Sequence, residues 1–185
     1  MDFLKLIQEG RVDDFKAKLR GGGARPNLFK ATINFPAYAG RDVEVTSFLC
    51  EAAQLPGSTI GTVPVFYFGR EMKFAGNRTF TDWTVTIIND EDFTIRNSME
   101  QWMNLINGHA GNVRNPAFNT PLGYTVNANV VQYGKEGAIL KRCTFVGMFP
   151  VDVAPIDLDW GSNDAIEEYQ TTFAYQWWQA ENTTT

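Results

Sequence analysis

Histidine is nearly absent from this sequence, which contains His109 and no other histidine. A Ser-His-Asp or Cys-His nucleophilic site would have to use this residue, which lies in a polar loop just past a predicted helix end. Bonding to the last helix carbonyls is the simpler role there. The chain also lacks a Walker A sequence, GxGxxG and HExxH, and the three glycines at 21–23 do not follow a strand as a phosphate loop requires. We therefore expect no catalytic residues, no cofactor site and no enzymatic activity.

Positive charge, long apolar segments and cysteine are also scarce. The formal net charge of −5 disfavours simple adhesion to nucleic acid or an anionic membrane, since both require a positive surplus. No apolar run approaches the roughly 20 residues that span a bilayer, and the charged N-terminus is unlike a secretory signal, so we expect a soluble cytoplasmic protein without a membrane anchor. Two cysteines are too few for a disulfide scaffold, and we expect Cys50 and Cys143 to be buried free thiols.

One acidic segment matches part of a calcium-binding loop but fails its requirements. Its candidate ligands fall at positions 1, 3, 7 and 12 of the loop frame and are Asp157, Asp159, Asn163 and Glu168. However, Gly161 stands where a ligand is needed, and Ser162 stands where glycine makes the sharp turn. The residues that follow alternate as a strand and not as a helix. We interpret the segment as a capped turn and predict no metal site.

What the sequence does contain is a clear strand-and-helix unit between residues 75 and 108. Every second residue from Trp83 to Ile87 is a large apolar side chain among β-branched neighbours, which indicates a pleated strand. The period then changes to a helical stripe formed by Ile95, Met99, Trp102 and Ile106. Side chains of residues 89–92 can accept hydrogen bonds from the free amides of the helix start, and Gly108 supplies its end.

Alternating apolar residues predict further strands over residues 28–35, 43–52, 65–73, 124–133, 138–153 and 167–178. About seven or eight antiparallel strands joined mostly by short turns are typical of a β-barrel or sandwich, because closure removes bare sheet edges. We expect one flanking α-helix. A short N-terminal helical arm with a glycine linker should occupy residues 1–23, a single β-barrel domain residues 24–178, and a loose tail residues 179–185.

Aromatic side chains are more numerous in these strands than one small barrel is expected to hide. The surplus comprises Phe66, Tyr67, Phe68, Phe145, Phe149, Tyr175, Trp177 and Trp178. Apolar surface on both strand faces marks a candidate for self-assembly. The alternative is an unusually aromatic monomer core.

Three long stretches of the chain carry a family resemblance. They are ARPNLFKATI at 24–33, AGNRTFTDWTVTIINDE at 75–91 and IDLDWGSNDAIEEYQTTFAYQWW at 156–178. In their order and approximate spacing they resemble the tail tube protein of contractile-tailed bacteriophages of the T-even type. The arm before residue 24 and the connection over 109–124 depart from that pattern, so no contacts are carried over to them.

The resemblance implies a non-enzymatic building block. Members of the family form a β-barrel with a flanking helix, assemble as hexameric rings whose inner sheets merge, and stack those rings into a tube inside a contractile sheath. The implied partners are copies of the chain itself, the sheath protein, and the baseplate and tail-terminator proteins. The genome is expected to pass through the tube without tight DNA binding, and the protein to belong to the virion tail after synthesis in the host cytoplasm.

Two alternatives stay open at this point. The first is the tube subunit of a related injection machine, such as type VI secretion or a pyocin-like particle. The second is a monomeric β-barrel that binds a small ligand, with the aromatic side chains lining its cavity. An enzyme comes third, because the chain supplies so little catalytic chemistry.

The segment 54–64 is the first predicted contact site. Its two prolines, two glycines and lack of charge predict a long loop, whereas most hairpin links take about 2–5 residues. We expect this loop at the contact between stacked rings, where prolines restrict its free conformations. The residues expected to be buried there are Leu55, Pro56, Ile60 and Val63.

The second predicted contact site is the start of the predicted helix. Asp90, Glu91 and Asp92 gather there, and if the helix lies outside the barrel they form an acidic spot repeated around a tube. We expect a basic element of the sheath to dock on this spot weakly, since exposed ion pairs contribute only about 0–1 kcal/mol each. The alternative is simple capping of the helix.

Overall fold

The computed structural model describes residues 18–36, 38–39 and 49–181. Its strands are β1 (Phe29–Ile33), β2 (Cys50–Ala53), β3 (Thr59–Tyr67), β4 (Arg70–Thr79), β5 (Trp83–Ile88), β6 (Val126–Tyr133), β7 (Ile139–Val153), β8 (Glu168–Ala174) and β9 (Trp177–Ala180). Its α-helices are α1 (Thr94–Ile106) and α2 (Pro121–Tyr124), and 3-10 turns occupy Arg20–Gly22 and Pro116–Phe118. Residues 1–17 of the predicted helical arm and most of the strand predicted over 43–52 lie outside the described residues, and the predicted glycine linker forms the 3-10 turn at Arg20–Gly22.

Seven of these strands form one antiparallel sheet in the order β1-β6-β7-β8-β5-β2, with β9 also paired to β7. The first half of β7 pairs with β6 and β9, and its second half pairs with β8. Because one long strand serves both halves, the sheet folds over itself as a sandwich with β1 and β2 at its ends. The prediction of a mainly antiparallel β fold with one long flanking helix is confirmed, in the sandwich form and not as a closed barrel.

The bend in β7 lies at Gly147, which has a φ of 66°. A Cβ atom built there would lie 2.9 Å from Cγ of Gln176, so the bend also requires the absence of a side chain. The same bend ends the last strand early. Residues 167–178 were expected to form one strand, but the chain turns at Tyr175–Gln176 and moves from β8 to β9, where it pairs with the first half of β7.

The core between the sheet halves and α1 is built from aromatic rings. Trp83 stacks on Phe145 with 4.5 Å between ring centroids, and Phe173 lies 5.8 Å away on a tilt. Ile95, Met99 and Trp102 form the buried face of α1. The alternating strand at β5 and the helical stripe are therefore both confirmed, because the apolar residues of each element lie on one face, and both faces pack into the same core.

The start and the exposed face of α1 also follow the sequence, whereas the helix ends at an extended Asn107 and Gly108 does not adopt the left-handed conformation of a glycine stop. Asp90 accepts a hydrogen bond from the backbone N–H of Thr94 through Oδ1 at 3.0 Å, so the acidic corner caps the helix start. Arg96 and Glu100 pair at 3.0 Å one turn apart. Arg96 also donates to the carbonyl of Ala154 at 3.1 Å and thereby ties the helix to the end of β7. Within the described residues, no helix combines the length and apolar character needed to cross a membrane.

The loop prediction over residues 54–64 is wrong from residue 59 onward. There the chain forms β3, which pairs antiparallel with β4 and reverses at Phe68–Gly69. The strand predicted over 65–73 is interrupted by that turn, and residues 75–77 continue β4. A bulge between Ile60 and Thr62 brings the two strands so close that a Cβ on Gly76 would be 3.0 Å from the carbonyl oxygen of Gly61. Gly61 and Pro64 therefore belong to an irregular hairpin, whereas Pro56 and Gly57 lie in the link of residues 54–58 that precedes it.

Candidate assembly surfaces

The β3–β4 hairpin is the first surface, and it forms a two-stranded sheet separate from the sandwich. Both faces are exposed along its whole length, apart from the half-buried Gly76. Phe68 at the tip is 91 % exposed in the left-handed conformation, with its ring edge-on to Tyr67. The other large exposed side chains are Ile60, Val63, Val65, Phe66, Met72 and Phe74. This many exposed large apolar side chains on one hairpin indicate a protein contact site.

The base of the hairpin is fastened to the sandwich by two indole groups. Trp83 donates to the carbonyl of Gln54 at 2.8 Å, and Trp178 donates to the carbonyl of Gly57 at 3.0 Å. Because these bonds hold both ends of the short link before β3, residues 54–58 are fastened to their own sandwich, while the hairpin beyond them forms a separate sheet.

This arrangement separates the four residues predicted at the ring contact. Leu55 and the half-buried Pro56 lie in the anchored link, where Leu55 lines a small cavity of about 200 Å³ with Phe29 and Val130. Ile60 and Val63 lie in the projecting hairpin and are about half exposed. The four residues are therefore divided between the link and the hairpin. The hairpin residues Phe66, Tyr67 and Phe68 were predicted as surplus apolar surface for self-assembly, but not as part of the ring contact.

The acidic loop, residues 154–167, is the second surface and connects β7 to β8. It contains Asp157, Asp159, Asp164 and Glu167 and no lysine or arginine. Asp159 accepts a hydrogen bond from the N–H of Gly161 through Oδ1 at 3.0 Å, and this capped turn presents Trp160 fully exposed to solvent. Leu158 and Ile166 are also strongly exposed. The loop surrounds an open cavity of about 580 Å³.

The acidic corner at residues 90–92 is continuous with this loop. Asn89 donates to Glu167 from its side chain and from its backbone, each at 2.8 Å, and a shallow cleft joins the two segments. Capping accounts for Asp90, whereas Glu91 and Asp92 remain exposed beside Phe93. Nearby, the side chains of Glu51 and Glu168 share a hydrogen bond, which with burial and mutual repulsion raises the pKa of Glu51. Negative potential is therefore concentrated at this edge.

The hairpin and the acidic loop lie at opposite ends of β5. The hairpin leads into Trp83 at the beginning of β5, and Ile88 at its end pairs with Glu168, which follows the acidic loop. A strand of 6 residues separates the two ends, and that length corresponds to roughly 20 Å. The two apolar surfaces are therefore attached at different ends of the same strand.

The thiols and the single histidine show no arrangement for nucleophilic catalysis. Both cysteines are free, and Cys143 is buried as predicted, whereas Cys50 is only half-buried. Burial raises the pKa of Cys50 to about 11 and also raises the pKa of Cys143, so both thiols are protonated at neutral pH. His109 was expected to cap the helix end through its ring. Instead its backbone N–H donates to Oδ1 of Asn104 at 3.0 Å.

A sandwich with a filled aromatic core and apolar surfaces at opposite ends defines the class of protein, which is a subunit that associates with other protein surfaces. The family model of phage tail tube proteins matches residues 24–181. The chain belongs to the phage tail tube protein family.

Similar proteins agree with this assignment. The chain is 33% identical to tail tube protein gp19 of Enterobacteria phage T4, over 91% of this chain and 99% of that protein. It is 29% identical to the tail tube protein of Serratia phage KSP90, over 89% of this chain and 93% of that protein. The T-even resemblance is thereby confirmed.

The fold of this chain is also similar to that of solved structures. A chain of an extracellular contractile injection system, the PVC sheath–tube complex in its extended state, matches with a TM-score of 0.59 at 13% identity, over 92% of this chain and 97% of that chain. At this identity the match shows a shared fold alone. The related-machine and ligand-binding alternatives are not favoured, because the phage proteins match at far higher identity and aromatic rings fill the core.

Proposed function

We propose that copies of this chain close into hexameric rings, that the rings stack into a tail tube inside a contractile sheath, and that the tube conducts the genome into the host. The protein acts in this role as a structural component of the virion tail, without enzymatic activity, after synthesis in the host cytoplasm. Its further partners are the baseplate and the tail-terminator protein. The observation that supports the proposal best is the projecting hairpin, because a monomer would leave its large aromatic surface exposed to water.

The size of the hairpin surface sets the strength of its contact. Four of its aromatic side chains, each able to bury about 150–250 Å², are half or more exposed, which leaves on the order of 500 Å² available for contact. Burial at about 25 cal/mol per Å² gives roughly 12 kcal/mol. The loss of translational and rotational freedom on association costs about 4–15 kcal/mol. A single hairpin contact is therefore marginal, and assembly should be cooperative and accelerated by an existing ring.

The test removes the hairpin without disturbing its anchors. Residues 59–79 are replaced by a short Gly-Ser linker, so that Trp83, Gln54 and Gly57 remain. The purified wild-type chain should form rings or tubes in light scattering and negative-stain microscopy, whereas the shortened chain should stay a folded monomer. Phe68→Asn, which keeps the hairpin and changes one tip residue, is the matched control for folding. Long tubes from the shortened chain would contradict the proposal, as would a wild-type monomer that fails to add to preformed tubes.

We also propose that Glu91 and Asp92, left exposed after Asp90 caps α1, form the weak docking point for a basic element of the sheath. Charge reversal by Glu91→Lys should spare tube formation and weaken sheath attachment, measured by co-sedimentation of sheath protein with tubes. Glu136→Lys, an equal charge change in the distant turn between β6 and β7, is the control. Equal sheath binding by Glu91→Lys and wild-type tubes would refute this site.

The tube is expected not to hold DNA tightly. The motivation is the net charge of −5, because each phosphate neutralised by a basic wall would add salt-dependent affinity. Assembled tubes should therefore leave the mobility of short duplex DNA unchanged in a gel-shift assay at low salt. Tight binding under those conditions would overturn the expectation.

A further inference from the structure

We propose that the hairpin of one subunit docks on the acidic loop of another copy, head to tail. The proposal rests on the proposed function and specifies which two surfaces of the chain meet when subunits associate. The occupant of the acidic loop is a second copy of this chain, and three properties of the described residues support this choice.

The first is apolar complementarity. The hairpin tip offers Phe66, Tyr67 and Phe68, and the acidic loop offers Leu158, Trp160 and Ile166, all strongly exposed. Aromatic residues of this kind are the usual anchors of protein interfaces.

The second is charge complementarity. The hairpin carries Arg70, Lys73 and Arg78 against Glu71, a formal charge of +2, and the acidic loop carries four carboxylates and no basic residue, a formal charge of −4. Among the described residues, Arg96–Glu100 is the ion pair that the structure shows, and it involves neither surface. Opposite charges around an apolar centre contribute little affinity at the rim, but they select the partner and fix its orientation.

The third is the placement of the two surfaces at opposite ends of β5. The hairpin is anchored beside Trp83 at the start of β5, and the acidic loop precedes Glu168, which pairs with Ile88 at the end of that strand. A contact between two different surfaces of identical subunits is heterologous, and repetition of such a contact gives a ring or an open filament. One contact type of this chain can therefore propagate, which an isolated two-fold dimer contact cannot do.

Charge reversal on each side tests the pairing. The hairpin variant is Arg70→Glu with Lys73→Glu, and the loop variant is Asp157→Lys with Asp164→Lys, which leaves the capping Asp159 intact. Each variant alone should raise the protein concentration needed for assembly at least about tenfold. The hairpin variant presents negative charge to the carboxylates of the loop, and the loop variant, at a formal charge of 0, no longer attracts the hairpin. A chain carrying all four changes should assemble again. An equimolar mixture of the two variants should also assemble, because each then meets a complementary partner.

A cross-link gives a second measurement that does not depend on charge. Tyr67→Cys combined with Trp160→Cys should form disulfide-linked ladders upon oxidation, whereas each single substitution should give dimers at most. The pairing is overturned if both charge variants assemble like wild type, if the four-change chain fails to recover, or if the ladder is absent. In each of these cases wild-type tubes still form, so the tube function stands; a wild-type chain that never assembles refutes the function instead.

Discussion

Replacement of Trp102 by alanine should destabilise the subunit more than any surface substitution. Trp102 is fully buried between Phe35 and Phe173 and donates from Nε1 to the carbonyl of Tyr124 at 2.9 Å. Truncation of a buried Trp costs about 3–5 kcal/mol, and loss of the hydrogen bond adds roughly 1 kcal/mol. A total near 5 kcal/mol corresponds to a fall in Tm of about 10–20 °C for a chain of this size.

The assay is chemical denaturation followed by far-UV circular dichroism, at protein concentrations below the onset of assembly, because association itself stabilises the folded subunit. Trp160→Ala is the matched control. It removes the same side chain from a fully exposed position, so the free energy of unfolding should change by no more than about 0.5 kcal/mol. Trp102→Phe retains an aromatic ring and loses the donor, which should cost about 1–2 kcal/mol.

The reasoning is refuted if Trp102→Ala lowers the free energy of unfolding by less than about 1 kcal/mol, or by no more than Trp160→Ala does. The two substitutions should also differ in assembly. Trp160→Ala should leave a stable monomer that assembles poorly, whereas Trp102→Ala at low temperature should yield a weakened subunit whose assembly surfaces are intact.

Two further predictions concern titratable groups. Cys50, with its pKa raised to about 11, and the buried Cys143 should react slowly with a disulfide reagent at neutral pH in the folded state and rapidly in denaturant; fast labelling of the native monomer would contradict this. Glu51 has its pKa raised above the ordinary 4.5, so the folded state binds the extra proton and stability falls as pH rises through the raised value. Glu51→Gln should therefore raise Tm slightly at neutral pH and not at acid pH. If the Tm difference between Glu51→Gln and wild type is the same at both pH values, the interaction with Glu168 is excluded as the cause.

The strand-and-helix unit from Trp83 to Ile106 could be predicted from the sequence because each of its elements covers a single core. One buried face per element produces a period of two residues in β5 and about 3.6 in α1, and short-range capping by Asp90 fixes the helix start. Local pattern and tertiary burial agree there, so the sequence carries the information directly.

The hairpin could not be predicted in the same way, because its strands cover no core. Both faces are exposed, so no alternation separates an inner face from an outer one, and Pro56, Gly57, Gly61 and Pro64 together have the composition of a loop. The break between β8 and β9 depends on the distant bend at Gly147. The exposure of Trp160 likewise depends on the position of its loop beside the sheet, and the local pattern of apolar residues does not predict that position.

The two indole hydrogen bonds at the base of the hairpin also have a mechanical consequence. Trp83 belongs to one half of the folded sheet and Trp178 to the other, and both hold the five-residue link at 54–58. A pull or twist applied at the hairpin tip is therefore divided between two strands and cannot peel the link away one bond at a time. A joint clamped in this way transmits torque as well as tension, so a polymer joined through such hairpins resists bending at each junction. Loss of either indole would convert the stiff joint into a compliant one.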